Sequence, residues 1–182
     1  MKKLLPFLAS ALLAILAAAP AASAKALVTQ GSSELGVSGL VDFESPLGTD
    51  IELDLRYAYF FFDRFSFGAA GGFGDNDAVT RFNLGLVSEY NFALPDAYRP
   101  LIGTDFVPFV GLGVGFLYAD LYSGDETAVV FSGETGVKFF LSDATAVTLS
   151  LLGQFATEDV FADDAKATDV DVSLRLGMRF HF

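Results

Sequence analysis

The chain has 182 residues, enough for one domain. It carries 11 Lys+Arg against 23 Asp+Glu, a formal net charge of −12, which argues against nucleic acid and against attraction to anionic lipid headgroups. It has no Cys, so disulfides contribute nothing, yet 52% of its residues are hydrophobic and 20 are Phe.

Residues 1–24 read as a cleavable export signal. Lys2 and Lys3 form a basic start, Leu4 to Ala19 an apolar run, and Ala22-Ser23-Ala24 a small-residue cleavage site. No Cys follows that site, so lipoprotein acylation is not expected. A mature chain starting at Lys25 keeps 9 Lys+Arg against 23 Asp+Glu, a formal net charge of −14. After residue 24 no apolar run reaches the roughly 18 residues of a membrane helix, so high hydrophobicity points to membrane strands instead. Lys25 to Ser33 is expected to be a short polar leader on the periplasmic side.

The remainder alternates with period two, because successive side chains of a strand point to opposite faces. Strands are expected at 34–43, 50–62, 65–73, 79–92, 106–119, 128–141, 145–156 and 172–182. The second is the cleanest: Ile51, Leu53, Leu55, Tyr57, Tyr59 and Phe61 oppose Glu52, Asp54 and Arg56. The third is rich in Gly and Ala, and the fifth sets Val110, Leu112, Val114 and Phe116 against Gly111, Gly113 and Gly115. In the last, Val172, Leu174, Leu176, Met178, Phe180 and Phe182 alternate with Ser173, Arg175, Gly177, Arg179 and His181. Tight turns are expected at 63–64 and 142–144 and a longer one at 93–105, all on the side of the chain ends. Loops on the other side fall at 44–49, 74–78, 119–127 and 157–168. An even number of strands closes an antiparallel barrel with both termini on one side, and strands of about 9 to 14 residues cross an apolar band of about 25 Å.

Alternation alone leaves a soluble barrel with an apolar cavity open. The glycine face of the fifth strand decides against it. Glycine is an odd choice for a solvent face but suits a narrow lumen, where charged side chains from one strand lie over glycines of another.

Val107-Pro108-Phe109-Val110-Gly111-Leu112-Gly113-Val114-Gly115-Phe116 resembles the "PYVGxGxG" strand of the OmpA/OmpX-type small outer-membrane barrels, often described as porin-family. Gly133 to Asp143 is similar to that family's glycine-rich strand ending in a Ser-Asp turn, and Leu174, Leu176, Met178, Phe180 and Phe182 resemble the terminal insertion signal. The resemblance implies an all-β, eight-stranded, up-and-down transmembrane barrel over residues 34–182, inserted in the outer membrane of a Gram-negative bacterium by the assembly machinery that reads that last strand. It implies contact with outer-membrane lipid and lipopolysaccharide. The chain departs from the family in having no Trp, so Tyr57, Tyr59, Tyr90 and Tyr118 must serve with Phe as aromatic girdles.

The inward set is Glu52, Asp54, Arg56, Arg81, Glu89, Glu134, Lys138, Asp171, Arg175 and Arg179, five acids and five bases. Charges removed from bulk water must pair, and equal numbers permit it. His181, the single His, is expected as a lumen-facing residue at the periplasmic rim, far from the outer leaflet where barrel enzymes acting on lipid A work. Neither catalysis, nor a cofactor, nor a metal site is expected. The glycines at 111, 113 and 115 sit inside a strand without a following helix, which excludes a nucleotide loop. Asp75, Asp77, Asp120, Asp125, Glu126, Glu158, Asp159, Asp163 and Asp164 are expected in solvated acidic outer loops whose spacing matches no calcium loop. Three roles follow: a monomeric structural barrel with a salt-bridged lumen, a narrow channel for small solutes or ions, or surface attachment through the outer loops.

Overall fold

The computed structural model describes residues 28–45, 48–75, 79–93, 105–121, 124–163 and 166–182. Ten strands occur in the order β1 (Ser33–Ser45), β2 (Gly48–Phe62), β3 (Phe65–Asp75), β4 (Val79–Asn91), β5 (Asp105–Leu121), β6 (Gly124–Ser142), β7 (Thr145–Ala156), β8 (Phe161–Asp163), β9 (Lys166–Thr168) and β10 (Val170–His181). Eight of them close an antiparallel barrel in the order β1-β10-β7-β6-β5-β4-β3-β2, while β8 and β9 pair only with each other. The expected export signal and Asp77, Asp164 and the body of the 93–105 turn lie outside the described residues.

Alternation does what the sequence implies. Leu53, Leu55, Leu84, Leu86, Leu112, Val114, Phe116, Leu151, Val172 and Leu174 stand exposed on the outer wall. So do Leu176, Met178, Phe180 and Phe182, the rest of the C-terminal apolar row. A contiguous apolar wall of this kind suits acyl chains and is foreign to a water-facing surface. Aromatic side chains band both ends. Tyr59 and Phe61 meet edge to face at 5.0 Å and Tyr90 and Phe92 at 5.1 Å near the chain termini. Phe73 pairs with Phe82, and Phe82 with Tyr118, in one row at the opposite end.

Glycines make the lumen passable for long side chains. A methyl group on Gly36 would lie 2.1 Å from the Arg179 guanidinium, and one on Gly72 would lie 2.2 Å from the Asp54 carboxylate. Both charged chains therefore lie flat across glycine backbone.

Three boundaries differ from expectation. The 119–127 loop is instead an extended hairpin, since β5 and β6 stay paired to Leu121↔Gly124. Asp120, Asp125 and Glu126 thus sit on strands, where cross-strand hydrogen bonds continue past the membrane band. The 44–49 loop is likewise shortened, with β1 running to Ser45 and pairing with Gly48 after a register shift. The 157–168 loop contains the small β8–β9 hairpin. The leader is also more than a polar tail. Val28 is buried, and its carbonyl accepts from Arg64 N–H at 2.8 Å. Arg64 adopts φ 68°, and its own carbonyl accepts from Asn91 N–H at 2.8 Å, so the two bonds hold this left-handed turn residue in place. Barrel closure runs from Glu34↔His181 to Gly39↔Leu176, the shortest seam among the described strands of the barrel wall. A reciprocal backbone pair between Ser33 and Phe182 (2.7 and 3.0 Å) ends it.

Candidate functional site in the barrel lumen

All ten charged residues singled out in the sequence stand on lumen-facing positions, and they separate into two layers. The inner layer, toward the chain termini, holds Arg56, Glu89, Glu134, Lys138 and Arg179, together with Glu34. Lys138 is fully buried. It donates to Glu34 and lies 2.6 Å from Glu89, and its ammonium sits 5.6 Å from the Phe109 ring centre and 5.9 Å from that of Phe60. Arg56 bridges Glu89 at 3.3 Å, Glu34 at 3.7 Å and Glu134 at 3.7 Å. Arg179 reaches Glu34 at 3.7 Å and Glu134 at 3.9 Å. Asn91 donates to Glu89 at 3.0 Å. Three acids thus meet three bases with no net charge left over, the condition for burying so many ions.

The outer layer is Glu52, Asp54, Arg81 and Arg175. Arg81 bonds Glu52 at 2.7 Å, while Arg175 reaches Glu52 at 3.4 Å and donates to Asp54. Asp171 lies within electrostatic reach of Glu52, Arg81 and Arg175. Between the layers a cavity of about 110 Å³ is lined by Asp54, Arg56, Asn83, Ser132, Glu134 and Gln154 among others.

Two apolar clusters close the lumen beyond the charges. At the inner end Val28, Phe60, Val107, Phe140 and Ala146 pack together. At the outer end Leu117, Ala119, Ala128, Val130 and Ala156 receive Val160 and Phe161 from the segment after β7. Sequence reasoning missed both seals. The signal was present in β5 and β6, whose inward positions change from Gly, Ser and Glu to Leu117, Ala119, Ala128 and Val130 near the outer end.

Glu34 was also missed as a member of the inner layer. Glu34 opposes Leu35 in the alternation and so had to face inward, where it is fully buried. His181 faces the lumen and is 2% exposed, between Phe60 and Phe140 with ring centres 6.1 and 5.0 Å away. Its strand position does lie at the barrel end, but the turn carrying Val28 folds over that end. Its Nε2 is 3.5 Å from the Glu34 carboxylate, and neither ring nitrogen makes a hydrogen bond to a protein group.

The outer carboxylates behave differently from the lumen ones. Asp75, Asp120, Asp125, Glu126, Glu158 and Asp159 are exposed, and Asp163 belongs to β8. Among the described residues no group of three or more His, Asp or Glu side chains is close enough to hold a metal ion.

No family model matches the chain, and no curated protein matches it significantly. Among solved structures it is similar to the N-terminal β-barrel domain of Pseudomonas aeruginosa OprF. That match has a TM-score of 0.60 at 20% identity, covering 84% of this chain and 98% of that one. It is also similar to Neisserial surface protein A, NspA, with a TM-score of 0.54 at 15% identity, covering 83% of this chain and 95% of that one. At these identities the likeness is one of fold: a closed, eight-stranded antiparallel barrel of the kind found in outer membranes.

Proposed function

We propose that the chain is an integral outer-membrane barrel with a structural role in the envelope of a Gram-negative bacterium, a rigid closed body and not an open pore. The observation that carries this reading is the lumen itself: two charge layers with internal partners, lying between two apolar seals. The apolar outer wall supports a place in lipid, and the exposed row Leu174, Leu176, Met178, Phe180 and Phe182 supports recognition by the assembly machinery of that membrane. Lipopolysaccharide is the natural neighbour of the outer aromatic band. The barrel has no open sheet edge around the wall and works as a single copy. We assign no catalytic role to the one imidazole, which is enclosed by phenyl rings and a carboxylate.

Planar-bilayer recording of the refolded barrel tests the reading. Stable insertion without discrete current steps is expected. Reproducible openings from folded barrels would replace the structural role with transport of small ions or solutes. One observation favours that second reading: the cavity of about 110 Å³ leaves Arg56 and Glu134 room to move. Substituting Arg56 and Glu134 singly and together separates the two. A plug loses stability on single substitution, whereas a conduit keeps its stability and changes its conductance.

Attachment to a host or partner through the outer segments is less well supported. The apolar side chains of 157–168 that are described, Val160 and Phe161, turn into the lumen and are not presented outward.

A further inference from the structure

The two apolar seals are built differently. Four of the inner seal's five residues, Phe60, Val107, Phe140 and Ala146, belong to β2, β5, β6 and β7, so the barrel wall itself makes that floor. The outer seal has wall residues of β5, β6 and β7 on one side only. Its filling, Val160 and Phe161, comes from a segment outside the barrel ladder. That segment leaves the wall after two backbone bonds, Thr157 N–H to Val129 C=O at 3.0 Å and Ala156 N–H to Asp169 C=O at 2.7 Å. Between them β8 and β9 form a three-rung hairpin, and a hairpin of that size has little stability of its own. Burial of Val160 (0% exposed) and Phe161 (2% exposed) is what holds it down.

Beneath Phe161 the surroundings turn polar. A void of about 10 Å³ is bordered by Phe161 and Leu117 above and by Glu52, Asp54, Arg81, Asn83, Gln154 and Arg175 below. Leu117, Ala119, Ala128, Val130 and Ala156 therefore form the walls of a recess whose floor is the outer charge layer and whose filling is Val160 and the Phe161 ring. Three of the five wall residues are Ala, which leaves space for a ring where larger side chains would have closed the mouth unaided.

We propose that Phe161 is a removable stopper, and that lifting it opens a blind, outward-facing vestibule and not a path through the barrel. The stopper rests on the structural reading given above only in requiring that the barrel fold. The inner seal is a separate cluster from the one that holds the stopper, and the charges bordering the void beneath Phe161 are those of the outer layer, so the inner end stays closed when the stopper moves. The vestibule is shaped for a single aromatic or branched apolar group of the class that Phe161 presents, set above a polar, hydrogen-bonding floor.

The absence of Cys makes the test direct. A Cys placed at Leu117 (outer recess) or Val107 (inner seal) is the protein's only thiol. It is titrated with a charged, membrane-impermeant thiol reagent added to the outer side of refolded barrels in vesicles. With Phe161 present, L117C reacts slowly. In L117C/F161S its labelling rate rises at least tenfold, L117C/F161L stays near the slow rate, and V107C/F161S stays unlabelled. Heat-modifiable gel mobility and the far-ultraviolet spectrum establish that each variant is folded. If F161S does not fold, the same rates are read in F161A. Fast labelling of L117C with Phe161 in place, or no acceleration in a folded F161S barrel, overturns the stopper. Labelling of V107C in F161S overturns the blind vestibule. Ionic current from unmodified barrels would count against the structural role while leaving these labelling rates to decide the stopper.

Discussion

Glu34→Gln lowers barrel stability by about 3–5 kcal/mol, because it removes one member of a buried ion cluster and leaves the others uncompensated. Glu34 is fully buried and faces Lys138, Arg56, Arg179 and His181 at once. Without it, Lys138 is left with Glu89, and the ion pair left to Arg179 among the described residues is the one with Glu134. The glutamine has nearly the same shape, so the loss reports charge and not packing. Lys138→Met alone has a cost of the same order. The double variant E34Q/K138M recovers most of the loss, since the pair leaves together and the remaining layer is balanced again. Urea unfolding in lipid vesicles, followed by gel mobility, measures all four proteins. An E34Q barrel within about 0.5 kcal/mol of the parent would mean that Glu34 is hydrated and that the inner layer does not form.

Leu112→Arg has the second largest effect, about 2–4 kcal/mol in a bilayer, the cost of an arginine on the lipid face near mid-depth. Leu112 is 72% exposed and lies near the middle of β5, away from both aromatic bands. On a water-facing barrel the same substitution would be almost free, because exposed surface positions tolerate charge. The comparison to make is L112R against D120R, at an exposed site near the end of β5. Unfolding in vesicles should separate the two clearly. Equal stabilities would sink the membrane-facing assignment of the wall.

Leu112 could be placed from sequence because period-two alternation along β5 depends only on neighbours in the chain, and the glycines opposite it fixed which side was inside. The charged residues of β2, β4, β6 and β10 followed from the same rule. Their division into two layers did not, because depth in the lumen depends on register between strands, and alternation carries no register. Glu34 could be read from its place opposite Leu35, but its weight in the cluster comes from Lys138, 104 residues away. The enclosure of His181 was hidden for a related reason. Its strand position put it at the rim, while the turn that carries Val28 covers that rim through contacts remote in sequence. The outer seal was hidden because Thr157 to Thr168 reads as an acidic loop, and Val160 and Phe161 are a short apolar pair that no periodicity flags.

The closing seam has a consequence in time. Glu34 pairs with His181, so the contact that turns a curved sheet into a barrel joins residues from opposite ends of the folded domain. Ordering the chain between them is a cost that is met before that contact forms, and folds dominated by such pairings are slow. Until β10 arrives, β1 and β7 both present unpaired backbone edges, which in lipid have no water to satisfy them. Refolding should therefore show a slow final phase that truncation before β10 abolishes. The lifetime of the open-edged sheet, more than its final stability, sets how much of the protein is lost to aggregation before closure.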